Sequence, residues 1–317
     1  MSVFSRTAFE PLVGQEEAVE LLVQAVLRER VAPAYLFSGA PGIGRGLAAR
    51  CFIELLFSGA GSVRRKQLGN HPDLLWVEPT YQHQGKLLTA QEAIAAGLKR
   101  KSPPQVRLEQ IRQIGEFLGR PPLEASRKVV TIAQAETMNE AAANGLLKTL
   151  EEPGRATLIL IAPSPESLLP TLVSRCQRIP FSRLRTEQMS QILQRLGYDE
   201  IVNTPSILAM AQGSVGVAIA CWQQLQDIPA EILDRATRRP STMREALELA
   251  KEIDRALDTE AQLWLIDYLQ QNYWLQANPS GSTAPSYLHA LESARRYLLS
   301  YAQPRLVWEV TLMTTIA

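Results

Sequence analysis

The sequence predicts an α/β domain built on a parallel sheet, followed by a small helical domain and an all-helical C-terminal domain. Three observations predict it. Short apolar runs at residues 34–37, 74–77, 129–132 and 158–161 alternate with amphipathic segments at 16–30, 47–57, 108–118 and 140–150. That order places helices over both faces of a parallel sheet. The runs are apolar throughout, as strands buried on both faces are. Beyond about Phe181 the strand signal gives way to helical periodicity. The expected divisions are residues 1–181, 182–226 and 227–317.

The first strand, 34–37, runs into Gly39-Ala40-Pro41-Gly42-Ile43-Gly44-Arg45-Gly46, and a helical segment follows from Leu47. Strand, glycine loop and helix form the setting of a phosphate-binding loop. Backbone N–H groups around Gly42 and Gly44, together with the helix N-terminus, can cradle an anion. The working pattern G-x-x-x-x-G-K-[ST] uses a lysine to reach the phosphates and a hydroxyl to hold magnesium. Here Arg45 replaces the lysine and Gly46 the hydroxyl residue. Gly39, Gly42, Gly44 and Arg45 are the candidate nucleotide-binding residues of a degenerate loop. The alternative is a tight strand-to-helix turn with no ligand.

The strand at 129–132 leads into Ala133 and Gln134, where a working ATPase has carboxylates for magnesium and water. Glu136 stands two positions further on. It would need a bulge to return to the site and is expected to face solvent. Phosphoryl transfer depends on positioning and charge stabilisation, and much of the latter is missing. The excursion at 80–104 is long for a connection and carries Lys99-Arg100-Lys101. A solvated surface is the plain reading of that cluster, and a contact for a phosphate backbone or partner is the sharper one.

Past the sheet, Thr186 is expected to cap a helix starting at Glu187, with Met189, Ile192, Leu193 and Leu196 on one face and Gly197 as its stop. Further helical patterns cover 206–225, 242–257, 260–273, 287–301 and 305–313. Residues 278–285, rich in Gly, Ser and Pro, read as a loop.

Composition narrows the function. The 317 residues are 46% hydrophobic and 21% charged, so folded cores are expected. A net charge of +1 excludes a global basic field as the driver of nucleic-acid binding. No apolar stretch approaches the roughly 20 residues of a membrane span, and the first ten residues lack a secretory core. Cys51, Cys176 and Cys221 are scattered without a C-x-x-C, which suits a reducing cytosol.

Four motifs carry a specific resemblance. They are Leu12-Val13-Gly14-Gln15, His71-Pro72-Asp73, the helix end Leu146-Leu147-Lys148-Thr149-Leu150-Glu151-Glu152-Pro153, and Ser174-Arg175-Cys176. Pro304-Arg305-Leu306 adds a fifth, weaker match. The chain resembles bacterial clamp-loader subunits of the AAA+ class along nearly its whole length. Within them it is most similar to the delta-prime family of DNA polymerase III, the branch described as lacking ATPase activity. The resemblance implies a P-loop NTPase-like sheet domain, a helical lid and a helical collar.

The resemblance further implies that Arg175, flanked by Ser174 and Cys176, is an arginine finger acting in trans on the ATP of a neighbouring subunit. Without it, a local ion pair would be the reading of Arg175. The implied partners are gamma/tau-type ATPase subunits, a delta subunit and, through the complex, the sliding clamp and primer-template DNA in the cytoplasm. No cofactor is required. ATP binding stays open, and hydrolysis is not expected.

Relatives often carry a four-cysteine zinc module. The corresponding stretch, 58–70, has no cysteine, so no zinc is expected. His71 then reads as a local hydrogen-bonding residue. Gly213-Ser214-Val215-Gly216-Val217 also lacks the ATP-sensing arginine of active paralogues. Two rivals stand beside this reading. One is an active gamma/tau-like ATPase using Arg45 in place of lysine. The other is a stand-alone DNA-binding adaptor using Lys99–Lys101 and Arg64-Arg65-Lys66.

Overall fold

The computed structural model describes residues 7–57, 69–97, 103–277 and 286–316. They fall into two compact units, one ending at Leu184 and one beginning at Arg185.

The first unit runs α1 (Glu16–Leu27), β1 (Ala34–Ser38), α2 (Arg45–Phe57), β2 (Leu74–Val77), β3 (Tyr81–His83), β4 (Lys86–Leu88), α3 (Ala90–Ala95), α4 (Leu108–Leu118), β5 (Lys128–Ile132), α5 (Glu140–Glu151), β6 (Ala156–Ala162), α6 (Pro170–Val173) and β7 (Gln177–Pro180). Five strands form one parallel sheet in the order β2-β5-β6-β1-β7. Every residue of β1, β5 and β6 is buried. Successive side chains of a strand point to opposite faces. In β1, Tyr35 and Phe37 therefore join Phe52 and Phe57 in one apolar layer, while Ala34 and Leu36 join Ile111, Ile114 and Leu146 in the other. The unbroken apolar runs are thus strands covered on both sides. Phe52 meets Tyr35 edge to face at 5.2 Å, a geometry worth roughly 1 kcal/mol beyond the area it buries.

The excursion at 80–104 has structure that periodicity did not forecast. Its described residues hold the hairpin β3–β4 and the short helix α3, which Thr89 caps in a reciprocal box with Glu92. Thr80 and Gln105 pair antiparallel across its base, by bonds of 2.9 and 3.1 Å. The basic clusters Lys99–Lys101 and Arg64–Lys66 lie outside the described residues. So do residues 58–68 of the expected zinc-free stretch and the loop at 278–285.

The second unit is helical: α7 (Thr186–Arg195), α8 (Asp199–Val202), α9 (Pro205–Ala211), α10 (Val215–Asp227), α11 (Ala230–Arg238), α12 (Met243–Ala256), α13 (Thr259–Ala277), α14 (Ser286–Leu299) and α15 (Pro304–Thr314). Helix α7 begins one residue earlier than expected. Arg185 occupies the cap position and its N–H donates to Gln188 Oε1 at 3.1 Å, so Thr186 is already helical. The single helix expected over 206–225 is two. Gln212 and Gly213 both adopt positive φ and break it, and Ser214 then caps α10 by accepting from Val217 N–H. Trp308 is fully buried and donates through its indole N–H to Gln262 Oε1 at 2.9 Å. Tyr273 is also buried and donates to Ala236 O. No described helix is long and apolar enough to cross a membrane.

Candidate functional site

The glycine loop sits where β1 leaves the sheet. Gly39 N–H donates to Ala162 O at the end of neighbouring β6, and Phe181 N–H donates to Ser38 O. The loop is therefore tied to the strands on both sides of β1. Crowding explains two of its glycines. A Cβ on Gly39 would lie 2.5 Å from Phe181 O, and one on Gly44, whose φ is +104°, would lie 2.9 Å from Leu12 Cδ1. Gly46 differs, because a Cβ there would meet nothing within 4 Å. The missing hydroxyl is thus a matter of sequence and not of space.

Gln15 of the Leu12–Gln15 motif holds this corner together. It is buried, its Nε2 donates to Ile43 O at 3.2 Å and to Ser182 O at 2.8 Å, and its Oε1 accepts from Ser182 N–H at 3.0 Å. One side chain thereby fixes the loop carbonyl and the segment leaving β7. Sequence reasoning singled out the motif without assigning Gln15 this role. A single polar residue before a helix carries no local sign of partners 28 and 167 positions away.

Arg45 is the first residue of α2 and points inward. It is only 9% exposed, and its Nη1 has no hydrogen-bond partner among the described residues. Burial pulls its guanidinium below the usual range, and the charge of Glu136 opposes that pull. Glu136 corrects an expectation. It does not face solvent but is half-buried, and its Oε2 is buried without a hydrogen bond. The chain turns back after β5 because Gln134 adopts a left-handed conformation (φ +50°) and residues Ala135–Thr137 form a 3-10 turn. Burial raises the Glu136 carboxyl, with its own backbone N–H and Arg45 opposing. The degenerate loop therefore contains a buried cation whose charge is countered from within the same chain. At the end of β5 stand Ala133 and Gln134, neither able to ligate magnesium as a carboxylate does.

Ser174, Arg175 and Cys176 lie between α6 and β7. Leu172 and Val173 are buried and anchor this turn. Cys176 packs against the second apolar layer, and burial pushes its thiol up to about 11. Arg175 turns the other way. Its side chain is 37% exposed, Nη2 donates to Glu151 Oε1 at 2.7 Å, and Nη1 donates to Thr171 O at 3.0 Å. Ser174 Oγ donates to the same Thr171 carbonyl at 3.1 Å. An exposed pair of this kind is worth about 0.2–1 kcal/mol, so it orients Arg175 more than it stabilises the fold.

The sheet separates the two groups of candidates. β1 and β7 run parallel, with Tyr35 beside Gln177 and Ser38 beside Pro180. Arg175 precedes β7, whereas Gly39 follows β1. About four residues of strand, roughly 13 Å at 3.3 Å per residue, lie between the two edges. Arg175 sits at the N-terminal edge, and the loop with Gly39, Gly42, Gly44 and Arg45 sits at the C-terminal edge.

The remaining motif, His71-Pro72-Asp73, is structural. Asp73 is fully buried, and its carboxylate accepts the backbone N–H groups of Leu123, Glu124 and Ala125, each at 2.7 Å. Burial alone would raise its pKa. The three N–H donors, with His71 beside them, outweigh that and hold it below the ordinary value. His71 Nδ1 accepts from Asp73 N–H at 3.1 Å, and its ring stacks on Phe57.

A glycine loop after β1 of a five-stranded parallel sheet, followed by a helical unit, defines a P-loop NTPase-like protein of the AAA+ class. A family model described as "DNA polymerase III, delta subunit" matches residues 14–185, and one described as "Cyanobacterial DNA polymerase III delta prime, C-terminal domain" matches residues 187–315. The chain belongs to the delta-prime family of DNA polymerase III subunits.

It is 32% identical over 189 residues to DNA polymerase III subunit delta' of Bacillus subtilis (strain 168), covering 56% of this chain and 51% of that one. It is 37% identical over 160 residues to the subunit delta' of Pseudomonas aeruginosa, covering 47% and 43%. The chain thus spans about half the length of these relatives. The crystal structure of a DNA polymerase III, gamma subunit-related protein from Thermotoga maritima aligns with a TM-score of 0.55 at 17% identity, over 95% of this chain and 98% of that one. This last likeness is one of fold.

Proposed function

We propose that this chain is the non-hydrolysing delta-prime subunit of a bacterial clamp loader, which lends Arg175 to the ATP of a neighbouring gamma/tau-type subunit. The observation that carries the reading is the separation of its two arginines. Arg45 is enclosed in the chain's own loop, while Arg175 stands at the opposite sheet edge with its side chain 37% exposed. An arginine there is out of reach of its own loop and available to another chain. Its planar, permanently charged group suits a bidentate grip on phosphate.

On this reading residues 182–226 act as a lid and residues 227–317 as a collar joining the assembly. A delta subunit, the sliding clamp and primer-template DNA are met through the complex, in the cytoplasmic replisome. The chain's own loop does not turn nucleotide over. Arg45 supplies charge, but Gly46, Ala133 and Gln134 supply no magnesium ligand. No zinc or other cofactor is needed for the role.

The test is reconstitution of the loader with Arg175→Ala and measurement of ATP turnover stimulated by clamp and primed DNA. Turnover at the site served by this chain is expected to collapse, while the purified chain alone shows none. Normal turnover and loading with Arg175→Ala would end the reading. Magnesium-dependent hydrolysis by the lone chain, abolished by Arg45→Ala, would favour an active ATPase instead. Tight, salt-sensitive DNA binding by the lone chain would favour the adaptor.

A further inference from the structure

Glu151 is the last residue of α5, a position where an acid is unfavourable, because the helix dipole places partial negative charge at that end. Helix stability therefore does not account for a carboxylate there. What it does in the folded chain is take the Nη2 hydrogen bond of Arg175, across 24 positions of sequence, at 2.7 Å.

We propose that Glu151 is a positioning residue for Arg175, holding its guanidinium in the orientation that meets a phosphate of the neighbouring subunit. The proposal rests on the reading of Arg175 as a finger in trans. Two acceptors grip the group by its two terminal nitrogens: Thr171 O takes Nη1 and Glu151 Oε1 takes Nη2. A guanidinium has five N–H donors, so two are used and three are left for a phosphate. Thr171 belongs to α6, whose Leu172 and Val173 are buried, so one acceptor is set by the core. Glu151 sets the other from α5, whose Leu146 and Leu150 are buried.

Without the carboxylate, Arg175 would be held by a single bond and would regain much of its rotamer freedom. An oriented charge acts in a transition state at less cost than one that must first be ordered. The arrangement is a presentation and not a stowage. The Arg175 side chain remains 37% exposed and that of Glu151 53%, whereas a restraint that hid the finger would bury it.

The experiment uses the reconstituted loader carrying Arg175→Ala, Glu151→Ala, Glu151→Gln or the double variant Glu151→Ala/Arg175→Ala. The readings are kcat and KM for ATP with clamp and primed DNA, alongside co-purification of the subunits. Glu151→Ala is expected to lower kcat three- to tenfold at unchanged KM. Glu151→Gln, which keeps an acceptor oxygen at the same reach, is expected to restore most of it. In the Arg175→Ala background, Glu151→Ala is expected to add nothing.

Wild-type kcat in Glu151→Ala beside a collapsed Arg175→Ala would overturn the positioning role and leave the finger standing. A raised kcat would show that the carboxylate restrains the finger, which also overturns it. An added loss in the double variant would place Glu151's effect elsewhere. A harmless Arg175→Ala would remove the finger itself, and this proposal with it. Should Glu151→Ala fail to assemble, Glu151→Leu, which fills similar space without an acceptor, takes its place in the same kcat comparison, a loss supporting the role and unchanged kcat overturning it.

Discussion

The two edges of the parallel sheet carry the same functional group in opposite circumstances. At the C-terminal edge Arg45 is enclosed, lacks a partner for Nη1 among the described residues and has its charge favoured by Glu136. At the N-terminal edge the Arg175 side chain is partly exposed and gripped at both terminal nitrogens, with donors to spare. The chemistry of a guanidinium does not change between the two places, but its environment does. Burial near an internal acid encloses one arginine, and anchoring at an exposed turn leaves the other partly in solvent.

Four experiments break or sharpen that contrast. The largest effect is expected from Arg175→Ala in the assembled loader, which should slow ATP turnover at the neighbouring site by about 10³-fold or more, as arginine fingers do. Turnover within a factor of two of wild type would erase the distinction between the edges.

The next concerns the brace of the N-terminal edge. Asp73→Ala leaves three backbone N–H groups without their acceptor and should destabilise the first unit by about 3 kcal/mol in urea unfolding. This contribution depends on pH. The folded pKa of Asp73 is depressed, so its stabilisation is complete above the unfolded value of about 3.9 and fades as pH falls through the folded value below it. The gap between wild type and variant should therefore be constant from pH 7 to 5 and close only in strong acid. A gap that narrows between pH 7 and 5 would show another group at work.

A smaller effect tests the enclosed arginine. Arg45→Met should cost about 1–2 kcal/mol, because it leaves the half-buried Glu136 carboxylate without an opposing charge. Adding Glu136→Gln should recover most of that loss. Strict additivity of the two substitutions in a double-mutant cycle would mean that the charges do not couple.

The smallest change is expected from Gly46→Ser. The site has room for the new side chain, and stability should move by no more than about 0.5 kcal/mol. Magnesium-dependent ATP turnover should stay absent, since Ala133 and Gln134 still offer no carboxylate. Measurable turnover would show that the hydroxyl alone had been limiting.

Much of the sheet domain was legible because its signals are local. Apolar runs of four residues placed four of the five strands of the large sheet within about two residues, while β7, Gln177–Pro180, is too polar to show as such a run. The hairpin β3–β4 escaped notice, since Tyr81–His83 and Lys86–Leu88 are too short and too polar to show a period. The break at Gln212-Gly213 escaped as well, because a left-handed glutamine has no compositional sign. Glu136 was misjudged for a related reason. Its return toward Arg45 depends on the left-handed backbone at Gln134, and sequence spacing alone made it a surface acid.

The sequence by itself determined the parallel sheet, the degenerate loop with Arg45 and Gly46 in the working positions, and the Ser174–Cys176 turn, because each is written in consecutive residues. Only the tertiary structure decided which arginine is hidden and which is shown. Glu136, Gln15 and Glu151 reach their partners from distant parts of the chain, and such meetings depend on how strands and turns pack in space.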